Sequence, residues 1–124
     1  MDLLDRIVSI FSPPARAAER TALASYEVSG RLAADISVAS AAITTILMSE
    51  GELQERHVAP AGVQVRAVVR TGFLRRGAAL VTVLLAENAG GETEIRVRAT
   101  AAGGRLGKRA AEEAVDRIVA RILG

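Results

Sequence analysis

Apolar and polar positions along this chain repeat with two different periods, one helical and one of two residues. From residue 106 to 123, Leu106, Ala110, Ala111, Ala114, Val115, Ile118, Val119 and Ile122 recur at helical spacing. Such spacing gathers side chains on one face and predicts a long amphipathic C-terminal helix. Its other face carries opposite charges four residues apart: Lys108–Glu112, Arg109–Glu113 and Glu113–Arg117. Each pair adds only ~0.2–0.5 kcal/mol, but all agree with the helix.

The period of two rules the stretch before it. In residues 63–71, Val63, Val65, Ala67 and Val69 alternate with Gln64, Arg66 and Arg70. In residues 93–100, Ile95, Val97 and Ala99 alternate with Glu94, Arg96 and Arg98. Between them, residues 78–87 are apolar on both faces, which predicts a covered, central strand. The turn signals are Arg75-Arg76-Gly77 and Asn88-Ala89-Gly90-Gly91, so the three strands read as an antiparallel meander. Residues 51–58, GELQERHV, offer a fourth strand ahead of them.

Earlier in the chain, Ala24, Tyr26 and Val28 alternate with Ser25, Glu27 and Ser29, predicting a strand over 22–29 that ends at Gly30. Residues 31–48 fit two patterns. Leu32, Ile36, Ala39, Ile43 and Ile46 share one helical face, yet Leu32, Ala34, Ile36 and Val38 also alternate. Length and alanine content favour a helix stopped by Gly51. At the N-terminus, Leu3, Leu4, Ile7, Val8 and Phe11 lie at helical spacing, with Asp2, Asp5, Arg6 and Ser9 opposite. Ser12-Pro13-Pro14 ends that short amphipathic helix, since proline lacks the amide donor and restricts the residue before it.

These elements predict an α+β fold: an antiparallel meander sheet of about four strands with helices packed on one face. The long C-terminal helix and the short N-terminal helix are both part of it. Residues 1–12 read as the N-terminal helix and 13–124 as a single α+β domain. A long terminal helix across such a sheet loosely resembles the helix-grip proteins in element order, with no motif shared. That resemblance implies a small apolar ligand held between the C-terminal helix and the sheet.

Composition sharpens the picture. Hydrophobic residues make up 50% and aromatic residues only 2% (Phe11, Tyr26 and Phe73), so Ala, Val, Leu and Ile must fill the core. Small side chains bury little area at roughly 25 cal/mol per Å², which favours self-association as a further source of burial. A net charge of +2 is too small to point to nucleic acid. With no cysteine, disulfide and thiolate chemistry are excluded. No apolar window is long enough to span a membrane. Charges at Asp2, Asp5 and Arg6 break any signal-peptide pattern, so the expected compartment is the cytoplasm.

Reactive groups are few. His57 is the only imidazole, and Glu50, Glu52 and Glu55 nearby could orient it as a general base. The plainer reading is a surface-loop histidine beside a proline turn. One histidine and no cysteine fall short of a zinc site. GGRLGKRA, from Gly103 to Ala110, fails the phosphate-loop pattern at Ala102 and Arg109. Its glycines with Arg105, Lys108 and Arg109 could still hold an anion, or could simply make the turn from sheet to helix.

Arg66, Arg70, Arg96 and Arg98 fall on polar strand faces and, with Arg75 and Arg76 at a turn, form a candidate basic interaction patch. Those strands interleave no aromatics for base stacking, which argues against nucleic acid. Glu92 and Glu94 alternate with the same arginines and could neutralise them across strands. The sequence thus predicts no catalytic centre and no cofactor. It predicts a non-enzymatic interaction or assembly module whose partner is itself or an acidic protein. Leu3, Leu4, Ile7, Val8 and Phe11 are its candidate docking helix. The alternative is a carrier of a small apolar ligand.

Overall fold

The computed structural model describes residues 23–72, 77–88 and 90–124. The candidate docking helix, Leu3, Leu4, Ile7, Val8 and Phe11, and the turn residues Arg75 and Arg76 lie outside them. The elements are β1 (Leu23–Leu32), α1 (Ile36–Glu50), β2 (Gly51–Ala59), β3 (Gly62–Thr71), β4 (Gly77–Glu87), β5 (Thr93–Ala102) and α2 (Gly104–Leu123). The strands form a single antiparallel sheet in the order β1-β5-β4-β3-β2.

The doubly apolar strand β4 sits at the centre, as its pattern predicts. The fold class holds, but the sheet has five strands rather than about four. GELQERHV is edge strand β2, so His57 lies on a strand and not in a loop. β1 is not part of the meander. It returns to the opposite edge and pairs with β5 from Leu23↔Ala102 to Leu32↔Thr93.

The ambiguous stretch divides between its two readings. Gly30 does not end β1, because its backbone keeps pairing opposite Ile95 and carries the strand to Leu32. The helix begins only at Ile36, where the Asp35 carboxylate accepts a hydrogen bond from the Val38 amide at 2.9 Å. That N-cap satisfies a donor the first turn would otherwise leave open. Gly51 closes α1, as expected, and opens β2 directly.

Both helices cover the same sheet face. Val65, Ala67 and Val69 of β3, Val81, Val83 and Leu85 of β4, and Val97 and Ala99 of β5 point towards them. Ile43 and Leu47 of α1 and Ala111, Ala114, Val115 and Ile118 of α2 complete this core. Alanines let the helices lie close to the sheet, which is how a core with little aromatic content can fill its space.

One inward assignment needs correction. Leu106 is 76% exposed, and the inner face of α2 starts instead at Gly107. A Cβ at Gly107 would lie 2.7 Å from the Ala102 carbonyl oxygen. The glycine lets the helix start against the end of β5, and Leu106, about 100° around the helix from it, is left exposed. This is also the structural role of the glycine-rich turn: Gly103 takes φ 112° and serves as N-cap without a side-chain bond.

Candidate functional site

The sheet face away from α1 and α2 collects the polar strand positions. Register puts them in rows across the strands. One row runs His57–Gln64–Leu84–Arg96–Ser29, and the next runs Glu55–Arg66–Thr82–Arg98–Glu27. A third runs Glu52–Val68–Leu80–Thr100–Ser25. A β-bulge between Leu53 and Glu55 keeps β2 in register across these rows.

Four arginines of the candidate patch therefore share this face. Arg66 and Arg70 line one side of β4, and Arg96 and Arg98 line the other. Arg66 and Arg98 flank Thr82 two strands apart, a separation of about 10 Å at ordinary strand spacing. Arg66 Nη1 lies 3.8 Å from Glu55 Oε2, and Arg98 Nη2 donates to Ser25 Oγ at 3.5 Å. The expected neutralising residues differ in part. Glu94 stands opposite Arg31 of β1, and the Glu92 amide is engaged by Asn88 in the β4–β5 turn. Arg66 is paired instead with Glu55, on a strand whose pattern is too weakly alternating to advertise its register.

Between the arginines, β4 presents Ala78, Leu80, Thr82, Leu84 and Ala86. Leu84 is 4% exposed and Ala86 7%, although α1 and α2 both pack on the other side. Beside Leu84, Gln64 is 1% exposed, and neither its Nε2 nor its Oε1 finds a hydrogen-bond partner. The Arg66 Nε is likewise buried without a partner. Buried polar atoms are nearly always hydrogen-bonded, so these exceptions mark the face. Sequence reasoning missed Gln64, because a glutamine at a polar strand position looks like any solvated residue.

The glutamates flanking His57 in sequence do not gather around it. Glu50 ends α1 and turns to α2, where Arg121 Nη1 donates to its Oε1 at 2.7 Å. Glu55 faces Arg66. Arg56 points to the helix side instead, and its Nη2 donates to the Oγ of buried Ser40 at 2.8 Å. That contact borders a cleft of ≈ 340 Å³ between the start of α1 and the β2–β3 hairpin, with Val58 as an exposed wall.

A second surface lies on α1. No residue from Ile36 to Ser49 is charged, and Val38 and Met48 are 58% and 60% exposed. Beside it runs a groove of ≈ 230 Å³ whose lining includes Leu32, Ala42, Ile46 and Ile122. No helix among the described residues is long and apolar enough to cross a membrane.

The fold is a small α+β domain in which two surfaces stand out, the outer face of α1 and the sheet face away from α1 and α2. No family model matches the chain, and no curated protein matches it at a significant level.

Proposed function

We propose that the protein is a non-enzymatic interaction and assembly module, and that it pairs with a second copy of itself through α1. The observation that carries this reading is the uncharged outer face of α1. A helix at a protein surface ordinarily turns charged and polar side chains to water, whereas this one turns Val38, Ala41, Ala42, Thr45 and Met48. Two identical faces can meet only if neither repels its own copy, and a face without charge meets that condition.

An antiparallel α1 pair with its two-fold axis at Thr45 sets Met48 of each copy beside Ala42 of the other. Ala42 lines the apolar groove, so the exposed methionine has a recess to enter. Sedimentation velocity tests the reading. The wild-type chain is expected to be dimeric, and Met48→Glu to weaken the dimer at least about tenfold, or ~1.4 kcal/mol. Circular dichroism should be unchanged, because Met48 is exposed. A wild-type chain that stays monomeric, or a dimer indifferent to Met48→Glu, overturns it.

The groove also supports a second reading, a carrier of a small apolar ligand. At ≈ 230 Å³ it is slightly below the usual size range of ligand sites, which starts near ~300 Å³. Its place between α1 and the end of α2 suits such a ligand better than the space under α2, where Ala111, Ala114, Val115 and Ile118 are fully buried. Native mass spectrometry separates the two readings: a small mass lost on denaturation supports a carrier, and a doubled chain mass supports assembly.

A further inference from the structure

The two edges of the sheet are guarded differently. β2 is broken by the bulge between Leu53 and Glu55, and it carries Glu52, Glu55 and Arg56. A bulge and a run of charge keep an edge from pairing with another chain. β1 has neither. Its register with β5 runs without a shift from Leu23↔Ala102 to Leu32↔Thr93, and it holds no proline and no lysine. Its two charges are Glu27 and Arg31, and Ser25, Glu27, Ser29, Gly30 and Arg31 are all exposed. Among the described residues no strand pairs with its outer side.

We propose that β1 pairs antiparallel with β1 of a second copy, with Ser29 on the two-fold axis. Glu27 and Arg31 lie two residues either side of Ser29, so the strand is its own complement in charge. In this register Glu27 of each copy stands opposite Arg31 of the other, on the sheet face away from the helices. On the helix side, Tyr26 stands opposite Leu32 and Val28 opposite Gly30. Opposite charges and aromatic–aliphatic pairs are both favourable cross-strand combinations, and the two-fold axis supplies each of them twice. Tyr26, Val28 and Leu32 are only half-buried in the single chain, so the contact also takes apolar surface out of water.

The neighbouring registers lack this match. With the axis at Glu27 or Arg31, like charges face each other, which is unfavourable. With the axis at Val28 or Gly30, neither charge meets its opposite. The charge pattern of β1 therefore selects both the partner and the register.

The contact uses no residue of the α1 face and does not rest on pairing there. An overlap from Tyr26 to Leu32 is small, so it forms at higher protein concentration than the α1 pair. It joins two five-stranded sheets into one continuous sheet.

The chain has no cysteine, so a single substitution traps the contact selectively. Ser29→Cys puts a thiol on the axis, where opposed Cα atoms stand ~4.5–5.5 Å apart, within disulfide reach. Ser25→Cys is the control. It is the same change on the same exposed face, but its two copies lie roughly 26 Å apart in this register. Both variants are air-oxidised at equal protein concentration and read on non-reducing gels. The linked dimer of Ser29→Cys is expected to form at least about tenfold faster than that of Ser25→Cys, because pairing raises the effective concentration of the thiols. That excess is expected to persist when Met48→Glu is added. Equal rates in the two variants, or an excess that vanishes with Met48→Glu, overturn the proposal. Met48→Glu without an added cysteine tests the α1 pair alone, so the two readings fail separately.

Discussion

Arg121 Nη1 lies 2.7 Å from Glu50 Oε1, which ties the last turn of α2 to the last residue of α1. Arg117 Nε stands 3.8 Å from the other oxygen of the same carboxylate, and the Glu50 side chain is only 15% exposed. Arg117 also donates to the Arg70 carbonyl and to Glu113, so it links helix α2 to the end of β3 as well. Glu50 is thus the hub at which both helices and the sheet meet.

Replacing the hub should cost more than replacing a spoke. Arg121 is about half exposed, so Arg121→Ala should cost under ~1 kcal/mol, as exposed pairs do. Glu50→Ala removes the mostly buried carboxylate that pairs with two arginines and should cost about 1–2 kcal/mol. Urea unfolding of both variants checks the order, and high salt should narrow the gap by screening. Equal losses would mean that the carboxylate is not the centre of the network.

Two glycines should resist substitution for reasons of space. Gly51 has extended backbone, so its conformation suits any residue, but an added Cβ would lie 2.2 Å from the Val68 carbonyl oxygen. Backbone cannot yield cheaply at the α1–β2 junction, and Gly51→Ala should cost about 3 kcal/mol or more. At Gly107 helix propensity favours alanine by ~1 kcal/mol. The contact with Ala102 opposes it, and a net loss of about 1–2 kcal/mol is expected for Gly107→Ala. Urea midpoints decide both; a stabilised Gly107→Ala would show that α2 shifts freely on the end of β5.

α2 allows a direct comparison of two aliphatic residues that its sequence pattern treats alike. Ile118 is fully buried, so Ile118→Ala should cost about 2–5 kcal/mol in lost burial and cavity. Leu106 is mostly exposed, so Leu106→Ala should stay within ~0.5 kcal/mol. Thermal unfolding of the pair tests where the inner face begins.

The same two residues show which parts of the fold could be read in advance. β4 was legible because a strand covered on both faces has no polar side to confuse the reading. α1 was half legible: Gly51 marked its end, but the Asp35 cap that sets its start was hidden within a stretch that also alternates. Leu106 was misplaced because it lies on the flank of the apolar stripe, about 100° around the helix from Gly107, where spacing alone does not decide burial. The arginines of the candidate patch could be placed on polar strand faces, and register puts Arg66, Arg70, Arg96 and Arg98 on one face of the sheet. Gln64 could not be found, since its burial on an outward face follows from no local pattern in the sequence.

Gln64 carries the last prediction, because the sign of its effect reads the state of the sheet face. Methionine has nearly the same length and flexibility without the amide. If the buried amide stays unpaired in the full chain, Gln64→Met removes a desolvation cost of about 1–3 kcal/mol and stabilises the protein. We expect this gain, because neither Gln64 Nε2 nor Oε1 has a hydrogen-bond partner. Urea unfolding measures it, and an unchanged slope would confine the effect to stability rather than to the unfolded chain. A loss of about 1 kcal/mol would mean instead that the amide is hydrogen-bonded in the folded protein.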